Sequence, residues 1–497
     1  MLKLASIFQN GMVLQRQKPV SIWGHSEAGV RITVRIQKQE HKTAAGSDGA
    51  WRITLSPLKT SSRETLTVTN ETETIDLYDV AVGEVWIGGG QSNMEFFMAY
   101  ERSYDKEAER CSSPDIRFYD VPEITDEAQL TRFDYSRVGI WRKATPKDLA
   151  WFSAVGYYFS RDLYEKMKVP IAVIGCNWGG TSIISWLNLE NPQTDRMPLM
   201  DTSQLKLSRK DIEKLWKDRG NLLDDAFTDF IMKKTVTYDE VNEFWGEAAK
   251  EFWRTSSDIK QESIPGILYD HMVKPIGGYS VRGILWYQGE SDDTDERRDI
   301  YDRLLAQMIY DWRALWEESG LPFLLVQLPA LENWIGFENI GYHVIREKQK
   351  LVSEHVPGVW LCSISDAGEQ YEIHPRNKKI VGERLALLAM GHVYGKNILC
   401  DAPEAKTACR RGKQIMIQFH HTGRGLYIRG GKLNALKITC DGRELSYTAS
   451  ASGSELMIKL TEPAEKQVMA AFAQDKWYRV NLYNSSDLPA VPFVFTV

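Results

Sequence analysis

Four short polar segments of this 497-residue chain carry the residue types that acyl transfer requires. In the first segment, Ser92 follows three glycines at the end of an apolar, β-branched run and is the candidate nucleophile. Because glycine adopts backbone angles that other residues resist, these glycines allow a sharp turn that presents Ser92 at the carboxyl end of a strand. The alternatives are a serine that only caps a helix and a phosphate-binding loop, although this loop lacks the lysine of a P-loop.

The second and third segments contain groups that could stabilise a developing oxyanion. Gly179 and Gly180 follow a predicted strand, and their backbone N–H groups could point at a reacting oxygen, although the pair could also form only a turn. Gln288 follows the next predicted strand, and its side-chain amide is a further donor. Glu290, two residues later, is a supporting residue that could hold Gln288 in place, or else a structural acid.

The fourth segment is a carboxylate-rich loop that contains His374 followed by Pro375. Because proline restricts the residue before it to extended geometry, the imidazole lies in a stiff loop and is the candidate general base. A lone histidine is more often a surface or core residue. Together with a serine and separate oxyanion donors at strand ends, however, it completes the set that acyl transfer needs.

Composition is that of an ordinary globular protein, with 43% hydrophobic and 26% charged residues and a net charge of −6. A net negative charge does not favour binding to nucleic acid or to an anionic membrane, so a small ligand is expected. No apolar run approaches the roughly twenty residues that span a bilayer. The six cysteines have no CxxC spacing, which argues against structural zinc. A disulfide among Cys400, Cys409 and Cys440 is possible without being indicated.

The opening apolar stretch is too short to be a signal peptide, because polar residues follow Phe8 at once. The protein is therefore expected to be cytoplasmic, or else periplasmic or secreted if a leader was removed.

Three predicted regions must position the candidate residues. Residues 1–80 contain short β-runs with turn signals, typical of an N-terminal β-domain, and residues 30–36 alternate apolar and polar side chains. Residues 81–397 alternate apolar runs with helical segments, which predicts a doubly wound parallel sheet. Strand-like runs return in residues 398–497, a C-terminal β-region.

Within the middle region, four apolar runs are typical of strands buried on both faces: 170–175, 281–286, 321–327 and 359–364. Residues 301–316 place their apolar side chains on one helical stripe. The charged stretch at about 196–262 predicts a helical insertion, which could form a pocket wall or a purely structural excursion.

Several of these segments resemble the sialate O-acetylesterase family of carbohydrate esterases, within the SGNH (GDSL-like) hydrolases. The similar motifs run from one end of the chain to the other: Met12–Arg16, Gly90–Met94, Gly179–Ser182 with Trp186, Trp286–Ser291, Ile373–Lys378, and Asn481–Asn484 with Leu488–Phe493. The resemblance implies an α/β fold of the SGNH-hydrolase (flavodoxin-like) type, a doubly wound parallel sheet flanked by N- and C-terminal β-sandwich-like regions. Asp292 departs from the family, which usually has Asn there, and Tyr371 replaces the aspartate that many SGNH hydrolases have three residues before the histidine.

The resemblance also implies roles for individual residues: Ser92 as nucleophile, His374 as base, Gly179 or Gly180 with Gln288 as oxyanion donors beside the Ser92 N–H, and Asn93 and Glu290 in support. The acid that orients His374 is open between Glu372, which stands two residues before it, and Asp366 further up the loop. A Ser-His dyad that uses a backbone carbonyl is the third alternative.

The predicted function is a serine esterase that hydrolyses O-acetyl esters of carbohydrates through an acetyl-enzyme, similar to a sialate O-acetylesterase acting on 9-O-acetyl sialic acid. The alternatives are an acetylxylan or other polysaccharide acetylesterase and a catalytically inactive carbohydrate-binding protein. The expected partner is an acetylated sugar or glycan, with no nucleic acid and no membrane, and no metal or organic cofactor is needed. Four aromatic residues near the loops could stack on a sugar or belong to the core: Trp178, Trp186, Trp286 and Tyr287.

Overall fold

The computed structural model of the protein describes residues 1–131, 138–192, 261–334 and 337–497. The helical insertion expected at about 196–262 lies, apart from its last two residues, outside the described residues. The described residues form two compact units. The first contains residues 1–131, 138–192, 261–288 and 304–323, and the second contains residues 289–303, 324–334 and 337–497.

Short strands fill the amino-terminal part of the first unit, as its turn-rich sequence predicts. They are β1 (Lys3–Leu4), β2 (Val13–Gln15), β3 (Val20–His25), β4 (Arg31–Ile36), β5 (Gln39–Ala44), β6 (Ala50–Leu55) and β7 (Ser61–Thr69). β3 pairs with β1 and β6, and β4 pairs with β5 and β7, all antiparallel. Buried residues recur at every second position along β3 and β6, so one face of each strand packs against a core.

The long strand β8 (Thr74–Gly90) is the central element of the first unit. Its amino-terminal half pairs with β7, and every residue from Val80 onward is buried. β2 also pairs with it, in parallel. Because β8 is continuous, it runs through the boundary expected at residue 80 and joins the N-terminal strands to the α/β sheet. The three-region division of the chain therefore stays a prediction.

After β8, strands alternate with helices, which confirms the predicted α/β class. These elements are α1 (Ser92–Glu95), α2 (Tyr104–Arg110), β9 (Ser113–Asp120), β10 (Trp141–Ala144), α3 (Ala154–Met167), β11 (Ile171–Asn177) and β12 (Gly283–Tyr287). The strand order is β10-β9-β11-β8-β12, and all pairs are parallel except β10 with β9. Since β11 and β12 flank β8 on opposite sides, its carboxyl end is a topological switch point, where open α/β sheets bind ligands.

The helix α4 (Tyr301–Leu315) confirms the helix predicted at 301–316. Five side chains of its apolar stripe are fully buried: Leu304, Leu305, Met308, Ile309 and Trp312. The helical periodicity of the sequence thus identified the buried face.

A buried ionic cluster holds the middle of β8 in place, around Glu84. Glu84 is completely buried and accepts hydrogen bonds from Arg16 Nε at 2.5 Å, Arg282 Nε at 2.7 Å and Gln15 Nε2 at 3.0 Å. Arg16 and Gln15 belong to the conspicuous Met12–Arg16 motif. That motif therefore has a structural role, because it neutralises a carboxylate that would be very costly to bury alone.

The second unit begins with the elements β13 (Phe323–Val326), β14 (Asn333–Trp334), β15 (Phe337–Glu338), α5 (Tyr342–His355), β16 (Val359–Cys362) and α6 (Lys379–Leu388). β13 and β16 are neighbours in a sheet, and the Gln327 N–H donates to Cys362 O at 3.0 Å. The apolar runs predicted at 321–327 and 359–364 are therefore strands.

The carboxyl-terminal part of the second unit is all-β, as predicted. Its strands are β17 (Glu404–Arg411), β18 (Gln414–His420), β19 (Tyr427–Ile428), β20 (Leu436–Cys440), β21 (Arg443–Glu444), β22 (Tyr447–Ser452), β23 (Glu455–Leu460), β24 (Met469–Phe472), β25 (Leu482–Tyr483) and β26 (Phe493–Thr496). Two four-stranded sheets have the orders β17-β18-β23-β22 and β21-β20-β24-β26. Ile415, Ile458 and Phe472, from both sheets, belong to one buried cluster.

Short helical turns connect several of these elements: Met98–Tyr100, Glu127–Thr131, Leu149–Trp151, Ile183–Trp186, Gln261–Ser263, Tyr269–Val273, Lys274–Ile276, Glu290–Asp292, Arg298–Ile300 and Ala389–Val393. Among the residues that the structure describes, no helix is both long and apolar enough to cross a membrane.

Candidate active site

Ser92 is the first residue of α1 and follows the end of β8 after a single intervening residue. The turn depends on Gly90, whose φ is +135°. A Cβ atom at this position would lie 2.1 Å from Tyr287 O, so no other residue fits without a backbone shift. The structure therefore places Ser92, half-buried, at the switch point of the sheet.

Hydrogen bonds tie the ends of β8, β11 and β12 to one another. The Trp178 N–H donates to Gly90 O, and the Gln91 N–H donates to Tyr287 O, both at 3.1 Å. Gln288, which is fully buried, donates through Nε2 to Thr181 O at 3.2 Å. The loops that carry Ser92, the two glycines and Gln288 thus form one connected assembly in the first unit.

Gly179 packs directly against the candidate nucleophile. A Cβ atom at Gly179 would lie 3.3 Å from Ser92 Cβ, so a larger residue would crowd the serine. The Gly179 N–H donates to Glu95 Oε2 at 2.6 Å, whereas Gly180 is exposed and has a φ of +74°. The backbone N–H of Gly179 is therefore already hydrogen-bonded to the Glu95 carboxylate.

Glu95 is a site residue that the sequence reasoning missed. It stands three residues after Ser92, a spacing that places two helical residues on the same face. This spacing was the available signal, but a four-residue helix is too short to give a periodic pattern.

A second carboxylate, Asp120 at the end of β9, was also missed. Burial raises the pKa of Asp120 to about 6, with a further contribution from the negative charge of Glu95, while Arg142 opposes the rise. Arg142 Nη2 donates to Asp120 Oδ2 at 2.8 Å. The Asp120 carboxyl, on the strand next to β11, therefore loses its proton closer to neutral pH than an ordinary aspartate does.

In the second unit, His374 contacts Glu372. The Nδ1 atom of His374 lies 3.1 Å from Glu372 Oε1, and the same oxygen accepts the backbone N–H of His374 at 2.9 Å. Glu372 is buried, and the edge of His374 meets the Trp334 ring with centroids 5.5 Å apart. This contact assigns the proton to Nδ1 and leaves Nε2 as the basic nitrogen.

Asp366, the other predicted candidate for orienting His374, is bound elsewhere. Its two oxygens accept from Arg384 Nη1 at 2.6 Å and Arg384 Nη2 at 2.9 Å, a bidentate pair. Tyr483 also donates its hydroxyl to Asp366 at 3.2 Å. These contacts give Asp366 a structural role in joining α6 to β25.

The supporting roles predicted for Asn93 and Glu290 stay predictions. Asn93 is buried beside Ser92 in α1, and Glu290 begins a helical turn after Gly289. Asp292, which stands at the position where Asn was expected, is fully buried and accepts from Arg297 Nε at 2.8 Å. Arg297 therefore compensates for the additional negative charge.

The four aromatic residues that could either stack on a sugar or belong to the core are core residues. Trp178, Trp186, Trp286 and Tyr287 are all at most 1% exposed. Trp286 packs edge-on against Trp186 at 6.0 Å and against Trp312 at 5.7 Å between ring centroids. The sugar-stacking interpretation is wrong for these four residues, because strands buried on both faces direct their aromatic side chains into the interior.

The predicted site residues divide between the two units. Ser92, Asn93, Gly179, Gly180 and Gln288 lie in the first unit, and Glu290, Asp366, Glu372 and His374 lie in the second. The structure thus places the candidate nucleophile and the candidate oxyanion donors in one unit, and His374 with both candidate acids in the other. The pairing of Ser92 with His374 stays a prediction.

Comparison with known proteins indicates the hydrolysis of carboxylic esters. Residues 246–389 match the family described as carbohydrate esterase, sialic acid-specific acetylesterase. The protein is accordingly a carboxylic ester hydrolase, and the coarser part of the predicted function, O-deacetylation of carbohydrates, is supported.

Similar proteins extend the likeness beyond the matched segment. The chain is 26% identical to the sialate O-acetylesterase of Mus musculus over 440 residues, which cover 81% of this chain and 76% of that protein. The Homo sapiens sialate O-acetylesterase is also 26% identical, over 81% of this chain and 73% of its own length. A crystal structure described as a novel carbohydrate acetylesterase from Xanthomonas citri is 26% identical, with a TM-score of 0.77 and 99% of each chain covered.

Proposed function

We propose that this esterase uses Ser92 as a nucleophile to remove O-acetyl groups from sugars, with the 9-O-acetyl group of sialic acid as the preferred substrate. The single observation that carries the serine mechanism is the contact of His374 Nδ1 with the buried Glu372 carboxylate. A histidine held in this way is ready to accept a proton through Nε2. The proposal includes the SGNH type for the α/β sheet.

In the first half-reaction, Ser92 Oγ attacks the acetyl carbonyl carbon and its proton passes to Nε2 of His374. The tetrahedral intermediate then collapses. The bond to the sugar oxygen breaks, His374 returns the proton to that oxygen, and the deacetylated sugar leaves an acetyl group on Ser92. In the second half-reaction, His374 takes a proton from water and the water oxygen attacks the acetyl carbon. The bond to Ser92 Oγ then breaks, the proton returns to that oxygen, and acetic acid leaves and ionises to acetate in solvent.

The oxyanion is proposed to bind the Ser92 N–H, the Gln288 side chain and the N–H groups of Gly179 or Gly180. The amide of Gln288 carries two hydrogens, one of which is directed at Thr181 O. Gly179 donates to Glu95, so the oxyanion would have to displace that carboxylate to use it. This competition favours Gly180 as the backbone donor from this loop.

Glu372 is proposed as the acid that orients His374 and stabilises the imidazolium, in preference to Asp366 and to a dyad. The bidentate contact with Arg384 supports a structural role for Asp366. A buried carboxylate next to the histidine supports a triad, since the role is defined by geometry and not by sequence position.

The preference for sialic acid rests on the relatives named as sialate O-acetylesterases. It is tested by measuring acetate release from 9-O-acetyl N-acetylneuraminic acid, acetylated xylan and acetylated rhamnogalacturonan. The highest kcat/KM on the sialic acid is expected. A higher value on xylan would assign the protein to the polysaccharide acetylesterases, and no release from any ester would favour a carbohydrate-binding protein.

The nucleophile is tested with Ser92→Ala. Because the serine is half-buried at a strand end and not a core residue, the variant should fold normally and lose at least about 10⁴-fold in kcat. Ser47→Ala, at an exposed position of the N-terminal region, is the matched control and should keep full turnover. An organophosphorus probe should label Ser92, and turnover close to that of the unaltered protein in Ser92→Ala would end the assignment.

A further inference from the structure

A cluster of metal-ligating side chains lies in the second unit, among residues that the proposed catalysis does not use. His392, Cys400 and Asp401 each offer one ligand atom, and these atoms all lie within 4.8 Å of one another. The Nε2 atom of His392 lies 2.7 Å from Asp401 Oδ1, and Cys400 Sγ lies 3.6 Å from Asp401 Oδ2. The three groups therefore converge on one point.

A second histidine approaches the same carboxylate. The Nδ1 atom of His421 lies 3.8 Å from Asp401 Oδ2. His421 has a φ of +57°, a left-handed backbone that few residues other than glycine adopt, and this conformation follows directly after β18. The Asp401 carboxylate is thus approached by His392 Nε2, Cys400 Sγ and His421 Nδ1.

The surrounding structure holds these segments in place. Asn484 is fully buried, and its Nδ2 donates to the backbone oxygens of Asp401 at 2.9 Å and His421 at 2.7 Å. One buried side chain therefore fixes two of the segments that carry the candidate ligands. Hydrogen bonds from neighbouring residues orient the ligands in metal sites in this way.

Two further contacts position the remaining candidate ligands. The Trp360 ring stacks on the His392 ring with centroids 4.7 Å apart and planes inclined by 16°. A Cβ atom at Gly391 would lie only 2.3 Å from Cys400 Sγ, so the glycine allows the sulfur to approach the helical turn that carries His392. Both the imidazole and the sulfur are thus held by close packing.

We propose that His392, Cys400 and Asp401, together with His421, bind a zinc-type divalent cation. Zinc prefers four ligands of the nitrogen, sulfur and oxygen type in a tetrahedron, at about 2.0–2.3 Å from the metal. Those bond lengths separate neighbouring ligand atoms by roughly 3.3–3.8 Å. The ligand atoms of His392, Cys400 and Asp401 lie within 4.8 Å of one another, so these side chains would have to move closer together on binding. A mixed set with one soft thiolate suits zinc and not magnesium or calcium, which bind oxygen ligands.

The ion would join three parts of the second unit: the helical turn Ala389–Val393 after α6, the segment before β17, and the end of β18. It would also be reached from solvent, because the His392 and Asp401 side chains are each 25% exposed. Binding would displace the thiol proton of Cys400 into solvent, as is usual when a cysteine binds a metal.

Cobalt provides a direct test, because Co²⁺ replaces zinc in tetrahedral sites and gives visible bands and a near-ultraviolet band from thiolate coordination. The full-length protein is first dialysed against a chelator and then titrated with Co²⁺. We expect one equivalent to bind with both bands, and added Zn²⁺ to remove them by competition. A thermal scan in excess Zn²⁺ should show a raised Tm, since a ligand of the folded state stabilises it.

The matched variants are Cys400→Ser and Cys409→Ser, the latter an exposed cysteine in β17 outside the cluster. Cys400→Ser should lose the thiolate band and at least tenfold in Co²⁺ affinity, whereas Cys409→Ser should keep both. His392→Gln is a second variant, which should weaken binding by a similar factor while keeping the thiolate band at saturation. Binding of less than one tenth of an equivalent, or a thiolate band that survives in Cys400→Ser, would overturn the proposal.

Discussion

At the scale of single residues, the decisive contact is between His374 and the carboxylate two positions before it. The Nδ1 atom of His374 lies 3.1 Å from Glu372 Oε1, in a loop that bends at Ile373 and His374. A tyrosine hydroxyl, such as that of Tyr371, is neutral near pH 7 and could not stabilise an imidazolium. The sequence alone left Glu372, Asp366 and a dyad open, because which side of a loop each carboxylate faces depends on backbone angles that no local pattern specifies.

Replacing Glu372 with Gln should lower kcat by up to about 10⁴-fold, the size of effect known when a triad acid becomes an amide. The amide keeps the shape of the side chain, but it cannot stabilise a positive charge on His374 and it can favour the wrong tautomer. The measurement is kcat on an acetyl ester over a range of pH. A loss of less than about tenfold would leave a Ser-His dyad as the better mechanism.

Asp366→Asn is the matched control for this experiment. Because Asp366 forms a bidentate pair with Arg384, Asp366→Asn should lower the free energy of unfolding and leave kcat nearly unchanged. Breaking a buried ion pair costs about 3–5 kcal/mol, which urea unfolding can measure. If Asp366→Asn instead stays as stable as the unaltered protein and loses turnover, the two carboxylates have been assigned the wrong way round.

Asp120 predicts a pH dependence of stability in the first unit. Its pKa is raised from 3.8 to about 6, so the folded protein binds its proton more tightly than the unfolded chain does. The stabilising contribution is complete below about pH 4 and is lost as the pH rises through 6, by at most about 3 kcal/mol. Urea unfolding between pH 4 and 7 should show this decline in the unaltered protein and a shallower one in Asp120→Asn. Parallel curves for the two proteins would contradict the raised pKa.

At the scale of elements, the sequence predicted the strands that carry the site, because β-branched runs ending in glycines mark both a buried strand and the loop after it. The end of β8, with its run of glycines before Ser92, is the clearest case. The contacts between loops could not be predicted in the same way. The hydrogen bond from Gln288 to Thr181 joins residues 107 positions apart, and the bond from Gly179 to Glu95 joins residues 84 apart, so both depend on strand order.

Gln288→Ala should lower kcat by about 10²–10³-fold with a smaller effect on KM, because it removes a donor that acts mainly in the transition state. The substitution also removes the bond to Thr181 O, so a loss of loop position has to be separated from a loss of the donor. Asn177→Ala supplies that comparison, since Asn177 Nδ2 makes an equivalent bond between strand ends, to Gly88 O at 3.0 Å.

The Asn177 control should lower kcat by less than about tenfold if the bond between strand ends is only structural. Equal losses in the two variants would mean that Gln288 acts by positioning the loop. A rise in KM alone for Gln288→Ala would make it a substrate-binding residue.

At the scale of the whole molecule, the sequence patterns predicted an α/β sheet with β-rich ends, and the described residues contain both. What they did not predict is that β8 belongs at once to the N-terminal strands and to the α/β sheet, because a change in sequence pattern near residue 80 does not require a break in the strand. The aromatic residues near the loops were equally ambiguous, since a tryptophan beside a buried strand has the same local sequence whether it faces a ligand or the core.

A buried ionic cluster around Glu84 joins the N-terminal strands to the α/β sheet of the first unit. Glu84 lies within β8 and is completely buried between Arg16, which follows β2, and Arg282, which precedes β12. Replacing Glu84 with Gln would leave two guanidinium groups without their buried counter-charge. We therefore expect a loss of about 3–5 kcal/mol in the free energy of unfolding.

Urea unfolding of the full-length protein, followed by tryptophan fluorescence, measures this loss. The matched control is Glu318→Gln, because the Lys18–Glu318 pair also joins the N-terminal region to a later segment but is partly exposed, at 21% and 39% for the two side chains. An exposed pair contributes at most about 1 kcal/mol, so its loss should hardly move the curve. Equal shifts for the two variants would show that the Glu84 cluster owes nothing to its burial, and that the Met12–Arg16 motif serves some purpose other than holding β8.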